Sequence, residues 1–231
     1  MMRTNQCCVF LLTLLAGASM AYPAILILPN GEKIFNTGID DFGATLSNGG
    51  IDTHYEFTLN PANSLTNPFV VSAGYLSANT SNSQWVGPVG AGVNAPDNPP
   101  GNLYAVKTII DLTGMDLTGF RIDGFWISDN FGRDIVVNGL PTGQTNTGQH
   151  SSSPTAFADN AFSLSTGLVE GPNMIEYVWE NSPFGPSNPT HVRIEFDSYA
   201  IVPEPTTLAI WSTLGGIGSL VCLRRPKRAA T

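Results

Sequence analysis

The sequence predicts an all-β body, an antiparallel β-sandwich, set between an N-terminal signal peptide and a C-terminal transmembrane helix. Three observations carry this. Runs such as His191-Val192-Arg193-Ile194-Glu195-Phe196-Asp197 alternate polar and apolar residues with a period of two. Segments rich in Gly, Pro and Asn, such as 87–101 and 181–190, separate such runs. Between the two ends, no stretch shows the 3.6-residue pattern of a long amphipathic helix.

Arg3 precedes an apolar run from Cys8 to Leu15, and small residues then lead to Ser19-Met20-Ala21. This satisfies the small-x-small rule of signal peptidase and places cleavage between Ala21 and Tyr22. Residues 1–21 are therefore read as the signal peptide, 22–201 as the body and 202–231 as a separate tail.

Within the body, Tyr104–Leu112 and Phe120–Ser128 are β-rich runs. Asp134–Val137 ends at Asn138-Gly139, the dipeptide that best tolerates the two positive φ angles of a tight hairpin. Alternation puts Ile175, Tyr177 and Trp179 on one face, and Val192, Ile194 and Phe196 on one face of the last strand. Many strands with turn signals between them favour a sandwich, and about 180 residues can bury a single core.

Of the ten Lys and Arg residues, five lie in residues 22–205, together with all eighteen Asp and Glu, so this part carries a net charge of −13. Such a field repels nucleic acid and anionic lipid, and favours divalent cations or neutral partners. Cys7, Cys8 and Cys222 all fall outside the body, which therefore has no disulfide and no thiolate nucleophile.

The tail has three parts. Val202-Pro203-Glu204-Pro205 cannot join a helix or sheet and favours an extended, exposed backbone. Thr206–Leu223 follows, 18 residues without a charge. At about 1.5 Å per residue this nearly crosses a hydrocarbon core of roughly 30 Å. Arg224, Arg225, Lys227 and Arg228 then fix that flank on the cytoplasmic side. In this order the Pro-Glu-Pro motif, apolar helix and basic end (224–228) resemble the C-terminal sorting signal of PEP-CTERM proteins of Gram-negative bacteria. The resemblance implies export with signal peptidase, an inner-membrane intermediate and recognition by an exosortase. Loss of the helix and delivery to the cell surface or extracellular matrix would follow. A permanently tethered ectodomain is the alternative.

A second resemblance concerns the body. Asp129-Asn130, Asp134–Gly139, Phe162-Ser163-Leu164 and Gly171–Tyr177 are similar to the closing half of galactose-binding-like jelly rolls. Together with Asn36-Thr37-Gly38, Asp52-Thr53-His54-Tyr55 and Ser83–Pro88, they resemble uncharacterised bodies found in front of PEP-CTERM tails. Gln144–Thr155 is a longer, less apolar connection than that pattern has.

For catalysis, only His54, His150 and His191 are available as neutral-pH bases, and none sits in a nucleophile elbow or at metal-helix spacing. His191 reads as an edge side chain of its strand, and His54 as a structural hydrogen-bonded partner of Tyr55. The body is therefore not expected to be an enzyme. For binding, Trp85, Trp126 and Trp179 are flat surfaces able to stack on sugar C–H faces, with core packing the competing role of Trp126 and Trp179. Trp85, beside a Gly-Pro loop, is the expected exposed platform, and Asp129, Asn130 and Arg133 could bond sugar hydroxyls. Asp129, Asn130 and Asp134 form an oxygen-rich candidate calcium site. The expected function is a surface or matrix module that binds a neutral polysaccharide without turning it over. A purely structural coat component and a weak glycan-active enzyme are the alternatives.

Overall fold

The computed structural model describes residues 23–62, 64–72, 79–88, 102–146, 160–181 and 190–201. The expected signal peptide with Ala21 and Tyr22, His150, and the expected sorting tail with Val202, Pro203, Glu204, Pro205, Arg224 and Arg225 lie outside the described residues. Among the described residues every regular element is a strand, and no helix is long and apolar enough to cross a membrane.

The strands are β1 (Ile25–Ile27), β2 (Lys33–Phe35), β3 (Glu56–Leu59), β4 (Phe69–Val71), β5 (Trp85–Gly87) and β6 (Leu103–Asp111). They continue as β7 (Phe120–Asp129), β8 (Phe131–Val137), β9 (Leu140–Pro141), β10 (Ala161–Leu164), β11 (Pro172–Glu180) and β12 (His191–Ile201). One five-stranded sheet has the order β10-β7-β12-β5-β4, the other β3-β6-β11-β8-β9, and β1 pairs with β2. All pairings between strands are antiparallel.

The two large sheets face one another through aromatic side chains. Tyr177 of β11 meets Trp126 of β7 at 5.6 Å, Phe162 of β10 at 5.9 Å and Phe196 of β12 at 6.5 Å between ring centroids. Offset and edge-on geometries of this kind add about 0.5–1.5 kcal/mol per pair to the value of the buried area. Gly124 of β7 makes room for them: a Cβ there would stand 2.4 Å from the Glu195 carbonyl and 2.5 Å from Cζ of Phe162. As the alternation predicts, Ile175, Tyr177, Trp179, Val192, Ile194 and Phe196 are all fully buried. Asn138 and Gly139 take φ of 51° and 80° in the two-residue turn joining β8 to β9. The Asn138 side chain also donates to the Gly167 carbonyl and to Oδ1 of Asn173, which ties that turn to the start of β11.

β12 departs from a half-exposed strand. Its polar alternates are buried too: Arg193 is 4% and Glu195 3% exposed. The Arg193 guanidinium donates to Ser83 Oγ at 2.6 Å and to Thr80 Oγ1 at 3.0 Å, while Ser83 Oγ donates to Glu195 Oε2 at 2.7 Å. Burial pulls the Arg193 pKa below its ordinary value, and the Glu195 carboxylate opposes that shift.

One edge of β12 runs along β7 from His191 to Ile201, whereas β5 pairs with the other edge at Val192. Beyond that point Asn36 and Thr37 take over. Thr37 N–H donates to the Ile194 carbonyl at 3.1 Å, its Oγ1 accepts from Ile194 N–H at 3.0 Å, and Asn36 Oδ1 accepts from Phe196 N–H at 2.7 Å. Thr37 Oγ1 donates in turn to the Gln84 carbonyl at 2.7 Å. Both residues are fully buried, so these bonds satisfy groups that water does not reach. Thr37→Val keeps the shape and removes the hydroxyl, leaving the Ile194 N–H and Gln84 carbonyl short of a partner. At about 1–3 kcal/mol for each such group, urea unfolding should show a loss of about 2–6 kcal/mol. A loss under about 0.5 kcal/mol, the range of a surface change, would refute the role given to this hydroxyl.

Candidate functional site

The expected aromatic platform is not at the surface. Trp85 is fully buried, because β5 lies between β12 and β4 and all three of its residues are covered. Its backbone N–H is bound by Asn79 Oδ1 at 2.9 Å. Trp126 is 1% exposed and packs on Tyr177, and Trp179 is buried with Nε1 donating to Thr190 Oγ1 at 2.8 Å. All three tryptophans belong to the interior, so none offers a face to a sugar.

The polar residues expected beside them are engaged internally. Asp129 is 1% exposed and accepts from the Asn130 side chain at 2.9 Å. Arg133 is half exposed, but its guanidinium pairs with Glu180 and lies 5.5 Å from the Phe131 ring centre. Asp134 turns to the β8–β9 hairpin, where Oδ1 accepts from Gly143 N–H at 2.8 Å. The carboxylates of Asp129 and Asp134 thus serve different partners. Among the described residues no group of three or more His, Cys, Asp or Glu side chains is placed to hold a metal ion.

Two histidine readings also change. His191 opens β12, an inner strand, and is 5% exposed with Nδ1 3.9 Å from Asp129 Oδ2; it is not an edge side chain. His54 does not pair with Tyr55, whose hydroxyl donates to the Phe35 carbonyl at 2.8 Å. Its imidazole instead lies flat on the Phe35 ring, 3.7 Å between centroids and 11° between planes. Nε2 is 2.9 Å from Asp41 Oδ1, and Nδ1 is 3.6 Å from Asp52 Oδ1.

Asp52 is what places this histidine. Fully buried, it accepts from Gly38 N–H at 2.7 Å with one oxygen and from His54 N–H at 3.0 Å with the other. It thereby joins the loop after β2 to the loop before β3. Burial acts to lower the His54 pKa, but the Asp52 and Asp41 carboxylates together outweigh it and hold the value above the ordinary 6.5.

His54 and Phe35 line an open cleft of about 540 Å³. One wall is the β1–β2 hairpin at Gly31–Lys33, the other the β3–β6 pair at Glu56 and Lys107–Ile109. The hairpin is pinned over β6 by the Asn30 side chain, which donates to the Asp111 carbonyl at 2.9 Å, and by Glu32, whose Oε1 accepts from Asp111 N–H at 3.1 Å. Glu56 and Lys107 face each other across the ladder, 3.1 Å apart. An exposed aromatic stands next to Asp41: Phe42 is 93% exposed at the tip of a closed turn. There Asp40 Oδ1 accepts from Phe42 N–H at 2.9 Å and Ala44 N–H at 2.8 Å, and Gly43 takes φ of 86°. The Asp40-Asp41-Phe42-Gly43 string is a turn signal from which this exposure could have been read.

No protein-family model, curated protein or solved structure matches the chain.

Two expected outcomes follow from this geometry. Trp85→Ala should lower stability by about 3–5 kcal/mol, as removal of a buried ring does; a melting temperature unchanged by the substitution would return Trp85 to the surface. For His54, a folded pKa above 6.5 means that its contribution to stability is complete below that pH and is lost as pH rises through the folded value. The stability difference between the native chain and His54→Asn, from urea titrations between mildly acidic and mildly alkaline pH, should therefore shrink as pH rises. A difference that grows with pH would reverse the assignment.

Proposed function

We propose that the chain is an exported protein of a Gram-negative cell, sorted by an exosortase to the surface or extracellular matrix, whose body is a non-catalytic carbohydrate-binding-like module. The sorting part rests on Val202-Pro203-Glu204-Pro205, the uncharged Thr206–Leu223 and the basic end at Arg224 and Arg225. The body is read as a galactose-binding-like jelly roll. The order of the Asn138-Gly139 turn and the Gly171-Pro172-Asn173 opening of β11, bonded to each other through their asparagines, supports that type.

The cleft beside His54 is the single observation that carries the binding reading. It is an open concavity with charged, hydroxyl and apolar lining, and its volume falls within the roughly 300–1,000 Å³ of small-molecule sites. It replaces Trp85 as the place where a sugar would lie. A purely structural coat component is the second reading, favoured by the burial of Trp85, Trp126 and Trp179, which leaves Phe42 as the strongly exposed ring among the described residues.

An epitope tag placed after Thr231 tests the sorting. It should be absent from the surface protein, and Glu204→Ala or Pro205→Ala should leave tagged, full-length chain in the inner membrane. A tag that travels with the surface protein would make the chain a permanently tethered ectodomain. Binding is tested by titrating the chain with a panel of oligosaccharides; no heat or displacement with any of them would favour the structural component.

A further inference from the structure

The body is strongly acidic, and its five cations are not spread evenly. All three arginines are spent on carboxylates: Arg121 on Asp123, Arg133 on Glu180 and Arg193 on Glu195. The two lysines, Lys33 and Lys107, line the same cleft. They approach it from different elements, Lys33 from β2 and Lys107 from β6, so the fold brings them together across 74 residues of sequence.

The charges opposing them are already engaged. Glu32 accepts the Asp111 N–H, and Glu56 is paired with Lys107 at 3.1 Å. Asp41 and Asp52 face His54. Lys33 is exposed and has no ion pair among the described residues, so although the two lysines and two glutamates of the lining sum to zero, one ammonium there is open to an anion. Around this point the wider field is negative. A densely charged polyanion such as nucleic acid or polyphosphate is repelled by that field before it reaches the cleft. A ligand with one carboxylate per ring, separated by neutral surface, meets less repulsion and still satisfies the lysine.

The remainder of the lining suits the body of such a ligand. Thr53 and Thr108 offer hydroxyls that both donate and accept, and Ile109, 52% exposed, offers apolar surface to a C–H face. We propose that this cleft takes an acidic saccharide, a sugar chain bearing uronic-acid carboxylates, with one carboxylate seated between Lys33 and Lys107. This rests on the carbohydrate-binding reading above and replaces the neutral polysaccharide expected from the sequence with a carboxylated one.

The test uses the full-length chain in detergent, titrated calorimetrically with hexamers of galacturonate, glucuronate and mannuronate. The same hexamers with every carboxylate methyl-esterified keep the shape and remove the charge. At low salt at least one acid form should bind about fivefold or more tightly than its ester, a preference that added salt erodes. Lys33→Gln should bring acid and ester to equal affinity, and Lys33→Glu should invert the order. Lys33 is exposed, so neither change should move the melting temperature. Esters that bind as well as the acids would overturn the acidic class while leaving the carbohydrate reading in place. A preference that survives Lys33→Glu would put the site elsewhere and overturn the proposal. Inorganic phosphate that displaces the hexamer at equal charge concentration would make this a simple anion site, with the same consequence. If no hexamer of either form binds, the inference and the carbohydrate reading fall together.

Discussion

An inner strand with one edge left open is the constraint from which the arrangement follows. β12 is buried on both faces from His191 to Phe196, and past Val192 its second edge has no neighbouring strand. Backbone N–H and C=O groups stranded there, away from water, would each cost more than an ordinary hydrogen bond gives. Thr37 and Asn36 supply the missing edge with one backbone amide and two side-chain oxygens. For this the segment from Pro23 onward must lie against the sheet, and Asn36 secures it further by donating to the Pro23 and Asn82 carbonyls. Gln84 then holds the following loop through the Gly38 and Leu46 carbonyls.

The cleft is a product of the same latch. With Asn36 and Thr37 fixed on β12, the β1–β2 hairpin is carried over β6, where Asn30 and Glu32 dock on Asp111. Lys33 and Phe35 then face the β3–β6 ladder across a gap that no side chain fills. His54 reaches that gap because Asp52, bonded to Gly38, turns the chain just before β3. Positions that look like separate motifs in the sequence are parts of one polar seam.

The long strands were legible because each repeats its period several times. β6, β7, β11 and β12 span nine to eleven residues, and alternation identifies their inner faces. β1, β2, β4 and β5 have three residues each, too few to show a period, and their neighbours Asn36, Thr37, Ser83 and Gln84 have the composition of exposed loops. Their burial depends on bonds to residues far along the chain, 46 positions for Gln84 to Gly38 and 157 for Thr37 to Ile194. Trp85 was misread for that reason: a Gly-Pro sequence follows it, but the strand that carries it is internal. In the cleft, Asp41 and His54 are thirteen residues apart, and Lys33 and Lys107 far more, so no local spacing announces them.

The last described strand also determines how the body responds to being pulled. β12 ends at Ile201, directly before Val202, so tension on the tail enters the sandwich along this strand. Its ladder to β7 runs parallel to that tension, and the bonds therefore stretch together in shear instead of opening one at a time. The second edge transfers part of the load through Thr37 and Asn36 to the beginning of the body, 157 residues earlier in the case of Thr37 and Ile194. Under the sorting proposal, the C-terminal attachment point would thus be mechanically continuous with the strand that ties the end of the body to its beginning.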